Sequence, residues 1–275
     1  MALLFRILPL LLLFVALLPA PTHAERAPVE IIIPEGSFLV REPESWDGKR
    51  PLPLLMFFHG YGQRGMTVIK NKILTAALKD REILLIAPNG EEKRWAHQGA
   101  PRRERLLDDD AFVRAIIVEV QRRWPVDTRR IWASGFSIGG SMAWHVACYI
   151  GKPFTAFMPV AGAFWRPQPS ACQAGPASIF HTHGMQDTVV PMEGRPIRFR
   201  YHQGDVRRST QLWRETNSCK ASDLRVESIG NLTCEISDAC GSGAEVRLCL
   251  HPGGHSIPKG WAGPALDWAE KISKN

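Results

Sequence analysis

Gly135-Phe136-Ser137-Ile138-Gly139 stands directly after the apolar run Arg130-Ile131-Trp132-Ala133-Ser134. A G-x-S-x-G that closes a strand and opens a helix is a nucleophile elbow, in which glycines permit a tight turn that lifts a serine hydroxyl above the sheet edge. About one chain of this size in ten carries the bare pattern by chance. Its meaning therefore depends on what flanks it and on which partners follow.

The flanks alternate between apolar runs and amphipathic stretches. Residues 29–33 and 37–40 read as a short hairpin around Pro34-Glu35-Gly36. Residues 52–58 form an apolar strand stopped by His59-Gly60-Tyr61-Gly62. Helical spacing over 66–79 places Ile69, Ile73, Leu74 and Ala77 on one side, and 82–87 is a further strand ended by Pro88-Asn89-Gly90. Residues 109–124 open on acidic side chains and repeat Phe112, Ile116, Val120 and Trp124 at i, i+4, the pattern of a helix. A helix over 139–150 follows the elbow, and 154–160, 178–182 and 245–250 read as three more strands. Strands apolar on both faces and separated by helices specify an α/β fold with a doubly wound, mostly parallel sheet. In such sheets the chemistry gathers beyond the carboxyl ends of the strands.

Acyl transfer by a serine needs a base, a carboxylate to orient that base, and donors for the developing oxyanion. In this fold the order along the chain is serine, acid, histidine. His255, in Pro252-Gly253-Gly254-His255-Ser256, follows the last strand on a loop whose glycines leave it free to turn toward the elbow. His251 is its nearest competitor but still belongs to the strand end, and His145 reads as a packing or capping residue. Asp187 follows the strand at 178–182 on the loop where the acid belongs, with Glu193 as the alternate. One oxyanion donor falls to the backbone N–H of Ile138 and the other to Tyr61 in the loop after the first long strand. His59, at that strand's end, reads as structural. Asp108-Asp109-Asp110 suits a helix N-terminus better than a metal, and His181-x-His183 lacks a third ligand of matching context. No metal or cofactor is expected.

The chain has 275 residues, with 34 lysines and arginines against 27 acidic residues. Its basic runs, Arg102-Arg103-Glu104-Arg105 and Arg207-Arg208, are short and interrupted, as on a solvated surface, so a nucleic-acid partner is excluded as the function. Arg6, the apolar run to Leu18 and the small residues before Glu25 read as a signal peptide over residues 1–24. That run is shorter than the roughly 20 residues a bilayer span requires, so no stable membrane anchor is expected. The remainder, 25–275, fits one domain that is secreted to the periplasm or the exterior. Six cysteines, Cys148, Cys172, Cys219, Cys234, Cys240 and Cys249, lie in that part without a C-x-x-C pair, which points to disulfides rather than zinc or dithiol redox chemistry.

The chain resembles secreted poly(3-hydroxybutyrate) depolymerase-like and feruloyl-esterase-like serine esterases of the α/β-hydrolase fold. The likeness rests on Leu52 to Gln63 as oxyanion strand and loop, on Asp109-Asp110-Ala111-Phe112-Val113, and on Trp124-Pro125-Val126-Asp127-Thr128-Arg129-Arg130-Ile131-Trp132 leading into the elbow. His183-Gly184-Met185-Gln186-Asp187-Thr188-Val189-Val190-Pro191 and Gly253-Gly254-His255-Ser256 resemble the family's acid and histidine loops. The resemblance implies Ser137, Asp187 and His255 as a triad. It also implies bridges Cys148–Cys172 and Cys219–Cys240, leaving Cys234 and Cys249 as a third pair. Two departures touch the substrate side: Ile257 stands where the family usually carries a tryptophan before the proline, and Ile138 where asparagine or alanine is common. The expected substrate is a small or oligomeric ester. The competing readings are a serine peptidase of the same fold and a catalytically silent polysaccharide-binding domain.

Overall fold

The computed structural model describes residues 27–101 and 108–274. The leader expected over 1–24 lies outside the described residues. The strands are β1 (Val29–Ile33), β2 (Gly36–Arg41), β3 (Leu52–Phe58), β4 (Leu84–Pro88), β5 (Val126–Phe136), β6 (Ala156–Val160), β7 (Ile179–Gly184), β8 (Pro196–Ile197), β9 (Tyr201–His202), β10 (Arg225–Ile229), β11 (Leu232–Ser237) and β12 (Val246–His251). The α-helices are α1 (Gly65–Ile69), α2 (Lys72–Lys79), α3 (Asp109–Arg123), α4 (Ile138–Tyr149), α5 (Val206–Thr216) and α6 (Ala262–Ile272).

One sheet runs in the order β1-β2-β4-β3-β5-β6-β7-β12-β11-β10, and β8 and β9 form a separate small hairpin. From β4 to β12 every neighbouring pair is parallel. The two ends are antiparallel, β1 and β2 on one side and β11 and β10 on the other. The apolar run of β3 shows why the sheet is covered twice. Leu52, Leu54, Met56 and Phe58 pack with Phe112, Ile116 and Trp144 from α3 and α4 on one face. Leu55 and Phe57 pack with Val68, Leu74 and Trp268 from α1, α2 and α6 on the other. A period of two with apolar residues in both phases needs exactly such two-sided cover to be stable in water, and each buried large side chain contributes about 1.5–3 kcal/mol.

One local reading is corrected. The single helix over 66–79 is two helices, because the Asn71 side chain accepts the backbone N–H groups of Ile73 and Leu74 and caps a new start there. The stretches after 200 hold elements that spacing does not announce. In α5, Ser209 and Thr210 are buried among Val206, Leu212 and Trp213, and their hydroxyls donate to the carbonyls of Asp205 and Val206 four residues back. Hydroxyls satisfied in this way sit on an inward face and blur the apolar stripe.

All six cysteines are paired: Cys148–Cys172, Cys219–Cys240 and Cys234–Cys249. The last pair joins register partners on β11 and β12. Among the described residues no helix is long and apolar enough to cross a membrane.

Candidate active site

Strand β5 ends at Phe136, α4 begins at Ile138, and Ser137 sits between them at φ 60° and ψ −121°. That left-handed geometry costs a non-glycine residue about 1–3 kcal/mol, so its surroundings must impose it. The Ser137 N–H donates to the Val160 carbonyl (3.0 Å), and the Ser141 N–H donates to the Ser137 carbonyl (3.0 Å). A side chain at Gly139 would collide with the carbonyl oxygens of Phe58 and His59, and one at Gly135 with those of Gly139 and Phe58. The glycines thus let the start of α4 lie directly against the end of β3, which holds the serine up at the carboxyl edge of the sheet.

Strand β12 ends at His251, and the turn after it carries His255. His255 Nε2 is 2.8 Å from Ser137 Oγ, and its Nδ1 is 2.7 Å from Asp187 Oδ2. The other carboxylate oxygen of Asp187 accepts the N–H groups of Val189 and Val190, both at 2.8 Å. Burial pushes the Asp187 carboxyl up, but its bond and charge attraction to His255 and the two backbone donors outweigh burial and hold it below the ordinary value. Two backbone bonds zip the acid and histidine loops together, Met185 N–H to the His251 carbonyl (2.8 Å) and Gln186 N–H to the Gly253 carbonyl (3.0 Å). The Phe136 ring lies 4.9 Å from the His255 ring. Glu193, the alternate acid, is exposed and meets no histidine, and His251 Nδ1 accepts the Gly253 N–H within the turn.

The other singled-out side chains have structural partners. Gly90 donates its N–H to His59 Nε2 (3.0 Å), so Nδ1 carries the proton and donates to the Gly60 carbonyl (2.8 Å). Burial, helped by the Arg64 charge and opposed by the Gly60 bond, lowers the His59 pKa from 6.5 to about 4. Asp108 caps α3, Asp109 accepts the Ala96 N–H, and Asp110 lies 2.8 Å from His145. His181 and His183 face each other at 3.0 Å beneath the acid loop, with Pro159 and Val190 carbonyls at the outer ring nitrogens. Burial pushes both histidines below their ordinary value. Among the described residues no three such groups converge as a metal site would require.

Beside Ser137 opens a cavity of about 380 Å³, whose walls include Ile138, Tyr61, Trp95, Trp165 and Val190. Ile138 is the first residue of α4, where backbone N–H groups have no intrahelical acceptor. A second, mostly apolar cavity of about 280 Å³ lies against Phe57, Leu74, Phe136, Ile257 and Trp261. Ile257, the departure noted in the histidine loop, therefore forms part of a cavity wall. The wall of the larger cavity contributed by Arg195, Arg198, Tyr201 and Gln203 was not read from sequence. The arginines recurring every few residues after Pro191 are the one signal pointing to it.

No family model matches the chain. Among curated proteins it is similar to a probable feruloyl esterase C of Aspergillus clavatus, 26% identical over 231 residues, covering 81% of this chain and 77% of that protein. It is likewise similar to feruloyl esterase B of Piromyces equi, 27% identical over 238 residues, covering 82% of this chain and 43% of that protein. Among solved structures, an acetyl xylan esterase from Aspergillus awamori superposes with a TM-score of 0.62 at 10% identity, covering 87% of this chain and all of that one (100%). The Bacillus cereus carboxylesterase superposes with a TM-score of 0.55 at 15% identity, covering 86% of this chain and 93% of the other. Fold and relatives together define a carboxylic-ester hydrolase of the α/β-hydrolase fold. Within that class the curated relatives that it resembles are feruloyl esterases.

Proposed function

We propose that this protein is a secreted esterase acting through Ser137, His255 and Asp187 on a small or oligomeric ester. The observation that carries the reading is the continuous hydrogen-bonded line from Ser137 Oγ through His255 to Asp187, at 2.8 and 2.7 Å. Ser137 Oγ attacks the ester carbonyl carbon while His255 Nε2 takes the hydroxyl proton. The resulting oxyanion is stabilised by the backbone N–H groups of Ile138 and Tyr61, two residues that line the same cavity as the serine. Collapse breaks the carbon–oxygen bond to the alcohol, to which His255 returns the proton. Water then attacks the acyl-serine, His255 accepts its proton, and the acid leaves as Ser137 regains its own. Asp187 holds the imidazole with its proton on Nδ1 throughout. Three disulfides, with the leader expected at 1–24, favour an oxidising compartment outside the cytosol.

The test is hydrolysis of p-nitrophenyl butyrate by the wild type and by Ser137→Ala. The variant, folded by circular dichroism, should lose turnover and fluorophosphonate labelling together. Retained turnover in folded Ser137→Ala rejects the mechanism. A histidine base must be neutral, so wild-type activity should fall on the acid side, and a profile flat down to about pH 4 rejects that base.

A further inference from the structure

The larger cavity is charged in a way that ester hydrolysis alone does not require. Its outer wall comes from the chain following the Asp187 loop and from hairpin β8–β9, which contribute Arg195, Arg198, Tyr201 and Gln203. Among the described residues no carboxylate lines it. A third arginine there, Arg94, is already paired with Glu92 at 2.7 Å. Arg195 and Arg198 are not paired with any carboxylate among the described residues. Arg195 donates Nε to the Val189 carbonyl (2.8 Å), which fixes the guanidinium and leaves its two terminal amino groups to face a ligand. Arg198 is held at φ 54° beside the hairpin turn and makes no side-chain bond among the described residues.

A second, independent sign lies deeper in the same wall. Gln203 is only 5% exposed, yet its amide oxygen has no hydrogen-bond partner. A buried amide left in this state costs stability unless something entering the cavity completes it. Trp95 and Trp165 give the rest of the wall an aromatic character. The cavity therefore combines a flat apolar body with two unpaired planar cations and an unsatisfied amide.

We infer that this cavity binds the non-reacting end of an ester that carries a carboxylate, with Arg195 and Arg198 as its charge partners, while the Gln203 amide oxygen accepts from a donor group elsewhere on the ligand. A guanidinium presents parallel N–H groups matched to the two oxygens of a carboxylate, which an uncharged ester cannot exploit. Excess positive charge in a cleft also draws an anionic substrate toward the serine. The assignment rests on ester hydrolysis at Ser137 and narrows its substrate to acidic esters.

Two matched pairs of esters test this. One is the mono-p-nitrophenyl ester of adipate against the same ester with its free acid replaced by a carboxamide. The other is 3-butyryloxybutyrate against its carboxamide. The first pair carries the charge on the acyl half and the second on the alcohol half. In at least one pair, kcat/KM should favour the acid by about tenfold or more in low salt, the scale of a charge-assisted hydrogen bond. That ratio should fall about tenfold in Arg195→Met and Arg198→Met, and should shrink with added salt. Because the ratio is read within each variant, a general loss of activity does not imitate the effect. Ratios near unity in both wild-type pairs, or a preference that survives in both variants, overturn the inference. Carboxamide esters turned over as fast as the acids overturn it alone and leave ester hydrolysis standing. No turnover of any ester, with Ser137 inert to a fluorophosphonate, overturns ester hydrolysis and this inference with it.

Discussion

Asp187→Asn separates the charge of the acid from its shape, and the structure dictates which way the new amide must face. One carboxylate oxygen of Asp187 is held by two N–H donors, from Val189 and Val190, at 2.8 Å each. Both are donors, so the side-chain oxygen of asparagine must stay there. Its NH2 group is then forced to the position of Oδ2, 2.7 Å from His255 Nδ1. An NH2 group at that place donates, so Nδ1 must accept and the imidazole proton moves to Nε2. Nε2 then points an N–H at Ser137 Oγ, 2.8 Å away, and cannot take the hydroxyl proton.

The expected loss in kcat is about 10³–10⁴-fold, the scale known for a mis-set histidine tautomer and equal to roughly 4–5.5 kcal/mol of barrier. KM should change little, because the amide touches no part of the cavity beside the serine. Stability should also hold, since both buried N–H donors keep their acceptor. Asp187→Ala, by contrast, leaves them unpaired at a cost of about 1–3 kcal/mol each. The assay is steady-state hydrolysis of p-nitrophenyl butyrate at neutral pH, beside thermal melts of the three proteins. Asp187→Asn retaining more than about a tenth of wild-type kcat would refute the tautomer argument.

Gly139→Ala drives a Cβ into the backbone oxygens of Phe58 and His59, which cannot turn aside, so the variant should lose about 1–3 kcal/mol or more of stability and its activity with it; a wild-type melting curve would show that the elbow has slack. Acid should weaken the fold before its carboxylates are protonated. The unfolded chain takes up a proton near pH 6.5 that buried His59 refuses until about pH 4, so stability present above pH 6.5 is lost across that window, to a limit of about 3 kcal/mol. The support Asp187 gains from its lowered pKa is lost only at more acidic pH. Urea midpoints at pH 7 and at about pH 4.5 check this, and an unchanged midpoint contradicts it.

The parts of the fold that could be read from sequence are those in which each residue's chemistry repeats at the period of its element. The apolar run of β3, buried throughout, belongs to a strand covered on both faces and could hardly be anything else. The elbow was legible for a different reason: glycines are needed wherever two backbones meet, and Gly135 and Gly139 mark such contacts. Asn71 was missed because a capping side chain inside a helical stripe leaves the stripe intact while ending the helix. Edge strand β10 was missed because its middle residues are exposed and show no alternation of buried and open positions. The arginine wall escaped for a third reason. Arg195 and Arg198 become neighbours of the serine only through the fold, 58 and 61 residues further along the chain, and no local spacing records that.

The acid loop joins these separate features. Val189 and Val190 N–H groups hold the Asp187 carboxylate, and the Val189 carbonyl accepts Arg195 Nε. The same loop is tied to the histidine turn through Met185 and Gln186. Asp187, the proposed orienter of the base, and an arginine of the cavity wall therefore hang on one short piece of backbone. A substitution that shifts Val189 should disturb both the imidazole and the guanidinium, so its effects on rate and on preference for acidic esters should rise together. Arg198 has no such tie, and its replacement should alter preference while the hydrogen-bonded line through His255 stays in place. Different coupling of the two arginines to the acid is thus a property of the loop's hydrogen bonds, and it would separate the proposed recognition of the substrate's far end from the proposed proton transfer at Ser137.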